Sequence, residues 1–230
     1  MTNVEIVIDI ETVGKSKDDF SEYEYEKIEK TLGEEPEQYF ALYPQTGFIV
    51  CIACKNIISG KGFVIHINDI NYKESDKNNP FTYYGVPNER EVLSLFWNMI
   101  DLMQKDGHNL SRLISFNGKR FDVPFILLRS AANSVNITHS LGYKGGPEFH
   151  LDLWEEFSFG RKIRAFSIDI IANMLGLNCH RNNDYNGKLV WEWYNNKEYK
   201  KIAELCISDV LLTENIYKTL KNSWGKIIFL

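Results

Sequence analysis

Apolar residues in this chain fall into short β-branched runs that alternate with longer stretches of helical periodicity. The run VEIVIDI is typical of a buried strand, whereas Asn88 followed by Glu91 is typical of a helix start. The polar stretches 68–79 and 178–188 predict loops, and the charged stretch 18–32 predicts a surface helix or an irregular excursion. The predicted strands are 4–10, 47–55, 62–67, 111–116 and 149–153, and the other predicted helices are 89–104, 121–132, 167–175 and 197–222. This alternation predicts an α/β fold with a central mixed β-sheet flanked by helices.

The size and composition of the chain are those of one globular unit. Its 230 residues are 44% hydrophobic, which is enough to bury one core, and we expect a single domain over 1–230. No apolar stretch reaches the roughly 18 residues of a membrane span, and no basic region precedes an apolar run as in a secretory signal. Four irregularly spaced cysteines suggest a reducing, cytoplasmic location.

The charge balance restricts how the chain could hold nucleic acid. The net charge is −5 and the pI is about 5.6. A protein that coats a long duplex through many phosphates is usually basic, so this balance argues against such a coat. It remains compatible with an enzyme that grips a few nucleotides and carries metal cations on its own carboxylates.

Two acids close the first predicted strand. Asp9 and Glu11 are two residues apart, so both carboxylates point to the same side of the strand. Two like charges at this spacing repel each other unless a cation lies between them. The alternative is a strand that runs into a solvated loop, where acids are common.

Two further acids follow later in the chain. Asp122 stands at a strand-to-helix junction, where an aspartate can also act simply as a helix cap. Asp209 lies within the apolar stripe of the last predicted helix, and a lone buried carboxylate is costly unless it is paired or bound to metal. Hard oxygen ligands suit Mg²⁺ or Mn²⁺, and two such ions about 3.5–4 Å apart can hydrolyse a phosphodiester.

Three segments that carry these acids resemble the DEDD superfamily of 3′→5′ exonucleases. They are IVIDIETVG, ISFNGKRFDVPFI and LCISDVLLTENIY, and FHLDLWE, SIDIIANMLGL and NGKLVWEWY also fit. The chain is most similar to the stand-alone group that resembles the proofreading domain of family-B DNA polymerases. The resemblance implies a ribonuclease H-like fold and covers nearly the whole chain, least at 18–45 and 68–90.

The resemblance also implies roles for individual residues. Asp9, Glu11, Asp122 and Asp209 would bind two Mg²⁺ or Mn²⁺ ions, with Asp9 bridging both ions, Glu11 and Asp209 on the catalytic ion, and Asp122 acting through water. Thr12, Asn117 and Phe121 would contact the terminal nucleotide, Phe121 by packing against a base or sugar.

The chain departs from this family in its third motif. The family usually has a tyrosine four residues before the final aspartate, or a histidine five before, to orient the attacking water. Here these positions are Leu205 and Glu204. Three alternatives follow: another side chain substitutes for the missing group, the metal alone activates the water, or the site is slow or lost. The candidate substitutes are Tyr199, Tyr217, Tyr185 and His180.

Two other patterns carry possible chemistry. Arg161 and Lys162 lie in a basic cluster with aromatic neighbours, which suits either single-stranded nucleic acid or an ordinary solvated turn. Cys51 and Cys54 form a C-x-x-C pattern inside an apolar strand, for which a structural role is favoured over zinc or redox chemistry.

The expected function is a metal-dependent 3′→5′ exonuclease that hydrolyses single-stranded DNA to nucleoside monophosphates. An RNA-directed enzyme of the same fold is one rival, because contacts to 2′-hydroxyls cannot be read from sequence. The other is a non-catalytic nucleic-acid-binding module. Its partner would be a single strand, with DNA favoured over RNA, and the sequence predicts no membrane association.

Overall fold

A central mixed sheet of seven strands forms the middle layer of the computed structural model, which describes residues 2–105, 108–143, 149–177 and 189–228. Along the sheet the strand order is β4-β5-β3-β2-β1-β6-β7. The strands are β1 (Thr2–Gly14), β2 (Gly47–Asn56), β3 (Gly62–Ile67), β4 (Tyr72–Ser75), β5 (Phe81–Val86), β6 (His108–Ser115) and β7 (His150–Asp152).

The first strand lies near the centre of the sheet. It pairs antiparallel with β2 and parallel with β6, and β6 in turn pairs parallel with β7. Its β-branched residues are almost wholly buried, as expected of a strand covered on both faces. The strands β6 and β7 end at Ser115 and Asp152, one residue past the pairing of Val7 with Ile114. The rest of β1, from Asp9 to Gly14, therefore extends beyond the carboxyl ends of both strands, where the second motif also begins.

Helices cover both faces of the sheet. The long helix α7 packs over β1, β2 and β3 on one face, while α2 and α3 contact each other and pack on the opposite face. The helices are α1 (Glu22–Leu32), α2 (Glu89–Lys105), α3 (Asp122–Ala132), α4 (Leu153–Phe157), α5 (Ile168–Met174), α6 (Val190–Asn195) and α7 (Tyr199–Ile228). The predicted α/β layer fold with a central mixed sheet is confirmed.

The predicted loop over 68–79 is wrong in part, because this stretch contains a strand at the far edge of the sheet. Part of that stretch is strand β4, and β5 follows it, although neither strand was predicted. The β4 sequence YKES is polar because it forms an edge strand with little burial, so it lacks the apolar run on which strand prediction depends. The short helices α4 and α6 were missed for a similar reason: they have too few residues to show a helical period.

Buried ion pairs fix the helices to the sheet. The Glu89 carboxylate accepts the Ile49 N–H at 2.8 Å and both N–H groups of the Arg129 fork at 2.7–3.2 Å, which joins β2 to α2 and α3. On the other face, Glu214 of α7 pairs with Lys55 of β2 at 2.5 Å.

Within the described part of the chain, no helix combines the length and apolarity that crossing a membrane requires.

Candidate metal centre

Three carboxylates meet beside the C-terminal half of β1. Asp9 and Glu11 project from β1 toward α7, which contributes Asp209, and one oxygen of each residue lies within 4.8 Å of the other two. All three residues are half-buried. The helix is held over the strand here, because the Cys206 thiol donates to the Asp9 carbonyl oxygen at 3.3 Å. Three acids this close repel one another strongly, and a divalent cation is the simplest means of relieving that repulsion.

A β-bulge lies at the same point of β1. The register with β2 shifts between Glu11 and Thr12, which pair with Cys51 and Ile49, so Val50 is the extra residue. Bulges of this kind redirect side chains and are common next to active sites. The Thr12 hydroxyl donates to the Ala41 carbonyl at 2.7 Å, which ties the end of the strand to the segment that follows it.

Asp122 adjoins the cluster but is not one of its three members. It begins α3 on the opposite face of the sheet, is 3% exposed, and accepts a hydrogen bond from the Ile10 N–H, between the two acids of β1. Burial raises the pKa of this carboxyl to about 7, although the Asp122 and Ile10 amides oppose the shift. Its Oδ1 atom is buried without a hydrogen-bond partner among the described residues. A cation beside it would satisfy that oxygen.

The loop that leads to Asp122 is organised by a buried acid, Asp152. This carboxylate is 1% exposed and accepts the N–H groups of Asn117 at 2.7 Å, Lys119 at 3.0 Å and Trp154 at 3.0 Å. Asn117 can then hold a left-handed φ of 67°, which is unusual for a residue with a side chain. Asp152 is thus a buried, hydrogen-bonded residue that fixes the shape of this loop.

Close packing around Gly118 also fixes this loop, and sequence reasoning missed it. Ser115 Oγ lies 2.7 Å from His150 Nε2 and accepts the Gly118 N–H at 3.1 Å. A Cβ atom at Gly118 would lie 2.4 Å from Ser115 Oγ and 3.1 Å from Asp122 Oδ2. Only glycine fits without displacing its neighbours. The FHLDL motif was the available signal, since its alternate residues His150 and Asp152 both support the loop.

The other predicted substrate contacts lie around the cluster at different depths. Phe121 is half-buried at the start of α3, where its ring packs against Phe125 with centroids 5.3 Å apart. Arg161 and Lys162 are exposed on the loop after α4 and are not part of the carboxylate cluster.

The two positions at which the family usually carries the water-orienting group differ in burial. Leu205 is 1% exposed in the core, whereas Glu204 is exposed. Two of the suggested substitutes are engaged elsewhere: Tyr217 donates to Glu5 at 2.9 Å, and Tyr199 bonds to Asp69 at 3.4 Å. The other two, Tyr185 and His180, lie outside the described residues.

The C-x-x-C pattern has a structural role. Cys51 and Cys54 are three apart in β2, so their side chains point to opposite faces of the sheet and cannot share a metal ion or a disulfide. Both are fully buried and free. Burial raises the pKa of the Cys54 thiol well above its usual range, so it stays protonated.

Comparison with known proteins points to one family. A family model described as "Predicted 3'-5' exonuclease related to the exonuclease domain of PolB" matches residues 42–227. That range includes Asp122 and Asp209 and begins after Asp9 and Glu11. The catalytic subunit of DNA polymerase epsilon from Schizosaccharomyces pombe is 26% identical over 110 residues, which make up 44% of this chain and 5% of that protein.

A solved structure gives the same fold. The family B DNA polymerase from the hyperthermophilic archaeon Pyrobaculum calidifontis superposes on 94% of this chain with a TM-score of 0.59 and 15% sequence identity. The aligned part is 24% of the polymerase. The chain thus spans a minor part of both polymerases, and the structural likeness supports the expected fold.

Proposed function

Because this chain belongs to the family of predicted 3′-5′ exonucleases related to the exonuclease domain of PolB, we propose that it is a metal-dependent exonuclease that removes nucleoside monophosphates from the 3′ end of single-stranded DNA. One observation carries the proposal. The acids of the first and third motifs, far apart in sequence, have carboxylate oxygens within 4.8 Å of one another beside the C-terminal half of β1.

The donor set fits two Mg²⁺ or Mn²⁺ ions. Asp9, Glu11 and Asp209 offer hard, anionic oxygens, and Asp122 adds a buried oxygen that has no hydrogen-bond partner among the described residues. These four residues would hold the metal. When bound, such a pair of ions activates water for attack on the phosphodiester and stabilises the leaving oxygen.

Residues near the cluster would hold the terminal nucleotide. The Thr12 hydroxyl uses its one hydrogen on Ala41, so its oxygen is left with lone pairs that can accept a hydrogen bond from a 3′-hydroxyl. The left-handed backbone of Asn117 and the half-buried ring of Phe121 border the start of α3. We assign Phe121 to packing against the base or sugar and Asn117 to polar contacts.

The sequence similarity to the catalytic chain of a DNA polymerase supports DNA over RNA as the substrate. A second candidate function has one observation in its favour, namely the apolar, buried Leu205 where the family usually places a water-orienting group. In that case the chain binds single strands without cutting them. Retention of four carboxylates favours the enzyme, because like charges are costly without metal.

End-labelled single strands of DNA and RNA, incubated with Mg²⁺ or Mn²⁺, test the proposal. We expect stepwise shortening of a DNA strand from its 3′ end, resistance when a 3′-phosphate blocks that end, and no effect of a 5′ block. Asp9→Asn should abolish the reaction, while Glu26→Gln, an exposed charge change on α1, should not. Cutting of circular strands would show an endonuclease, and hydrolysis that persists in Asp9→Asn would refute the assigned site.

A further inference from the structure

An exposed loop between α4 and α5 combines apolar and basic side chains. We call residues 159–166 the basic-aromatic loop. Its apolar side chains are Phe159, Ile163 and Phe166, which are 58%, 55% and 56% exposed. Arg161, Lys162 and Arg164 lie among them, and no acid occurs between Phe157 and Ile168. Exposed apolar residues grouped in this way usually mark a binding surface.

The loop has a defined shape. Phe159, Gly160 and Arg161 all have left-handed φ angles, of 49°, 64° and 71°. Ser158 holds this turn, since its hydroxyl accepts the Arg161 N–H at 3.1 Å and its carbonyl accepts the Ile163 N–H at 3.1 Å. Left-handed residues with side chains on both sides of a glycine are unusual and persist only where the surroundings impose them. The loop therefore presents its side chains in a preformed arrangement.

A chain of contacts connects the loop to the candidate metal centre. Arg161 lies 3.6 Å from Glu155, and Glu155 also pairs with Lys119 at 2.9 Å. Lys119 follows Gly118, the residue packed against Asp122. The Arg161–Glu155 pair is exposed and long, so it is weak and leaves the guanidinium available to a phosphate.

Charge is divided unevenly around the site. Residues 15–45, which we call the acidic lobe, hold nine acids and four bases, so the lobe alone accounts for the whole net charge of −5. The lobe starts just after Glu11 and touches Thr12 through Ala41. A polyanion is repelled by the lobe and attracted to the basic-aromatic loop, over a screening length of about 10 Å at moderate salt.

We propose that the basic-aromatic loop is a docking platform for the part of a single nucleic-acid strand that lies upstream of the 3′-terminal nucleotides. Its cations contact phosphates and the exposed Phe166 ring stacks on a base, while the Phe159 ring packs against Trp224 with centroids 5.8 Å apart. Such a combination suits single strands of any sequence. This inference rests on the proposed function for the direction of the strand, but binding to the loop can be measured without hydrolysis.

Binding in the presence of EDTA tests the platform. The probe is a fluorescent oligodeoxythymidine of about twenty nucleotides, and the readout is anisotropy at several salt concentrations. The variant Arg161→Gln/Lys162→Gln/Arg164→Gln should bind at least about tenfold more weakly. The slope of its log K against log salt should also be about 2 less steep than that of the wild type, because three phosphate contacts are lost and each contributes about 0.7 to the slope. Phe166→Ala should weaken binding by about 5- to 150-fold through lost stacking.

Controls separate this inference from the proposed function. Lys27→Gln/Lys30→Gln removes two exposed cations of the acidic lobe, which makes the lobe more negative, and should leave affinity unchanged or only slightly lowered. If the enzyme is active, the loop variants should raise KM for the long strand by a larger factor than KM for a trinucleotide, which is too short to reach the loop. Loss of binding in the loop variants supports the platform even if no hydrolysis occurs. Wild-type affinity in those variants, or a wild type that binds no strand, would overturn it.

Discussion

Asp209→Asn should reverse the order of stability of the variant and the wild type when metal is added. The substitution keeps the size of the side chain and removes one of three carboxylates whose oxygens lie within 4.8 Å. In the absence of metal it removes repulsion, so the variant should be the more stable protein. In the presence of metal it removes a ligand, so the wild type should be the more stable one.

The size of both effects follows from the geometry. A pair of unit charges 4.8 Å apart repels by about 1 kcal/mol in a water-like dielectric and about 3 kcal/mol at an effective dielectric of 20. Asp209 takes part in two of the three pairs, so the repulsion that it experiences is about 2 kcal/mol in total in the water-like dielectric. Loss of a hydrogen bond such as that from Ser208, at 3.5 Å, offsets about 1 kcal/mol of this. The net gain is about 1 kcal/mol, or about 2–4 °C in Tm.

Metal acts on the wild type by mass action. A cation at about 100 times its Kd stabilises the folded state by about 2.7 kcal/mol, and the variant should gain little of this. Unfolding followed by circular dichroism, in EDTA and then in Mg²⁺ or Mn²⁺, measures both states. Glu26→Gln controls for the change in net charge and should respond to metal as the wild type does. An Asp209→Asn protein that is less stable in EDTA, or that gains as much from metal as the wild type, would refute the reasoning.

Three further substitutions probe other parts of the structure. Leu205→Tyr should lower the free energy of unfolding by about 1–3 kcal/mol, because the site is fully packed, and should raise the hydrolysis rate about tenfold if water orientation is limiting. An unchanged or lower rate at full folding would show that another group orients the water. Gly118→Ala should cost about 1–3 kcal/mol and most of the activity, because its Cβ would strike Ser115 Oγ; calorimetry and the strand assay measure both. Arg129→Met should cost about 3–5 kcal/mol in urea unfolding by leaving Glu89 buried without its cation, and a cost near zero would contradict that role.

The sequence predicts the first half of the site well because the relevant geometry is local. Strand alternation alone puts Asp9 and Glu11 on one side of β1, and the apolar stripe of α7 identifies Asp209 as an acid in a buried setting. The resemblance supplied the expectation that they meet. In the structure, one carboxylate oxygen of each of Asp9, Glu11 and Asp209 lies within 4.8 Å of the other two.

The rest depends on contacts that no local pattern contains. Asp122 is separated from the three-residue cluster and held by the Ile10 amide, which requires the register of two chain segments more than 100 residues apart. The support of its loop by Asp152 depends on β7 lying beside β6. Edge strand β4 was missed because exposure at a sheet edge removes the selection for apolar residues that makes other strands visible.

The arrangement of the two helical layers links the candidate chemistry to the core. β1 runs between α7 on one face and α3 on the other, and its C-terminal half carries Asp9 and Glu11. Helix α7 carries Asp209. Helix α3 carries Asp122, which accepts a hydrogen bond from the Ile10 N–H of β1. A shift of either helix by about 1 Å would therefore move one carboxylate relative to the strand, and displacements of this size can cost about 10²-fold in rate. Under the proposed function, Cys206, whose thiol donates to the Asp9 carbonyl, would be a positioning residue that sets the distance between the layers and touches no substrate.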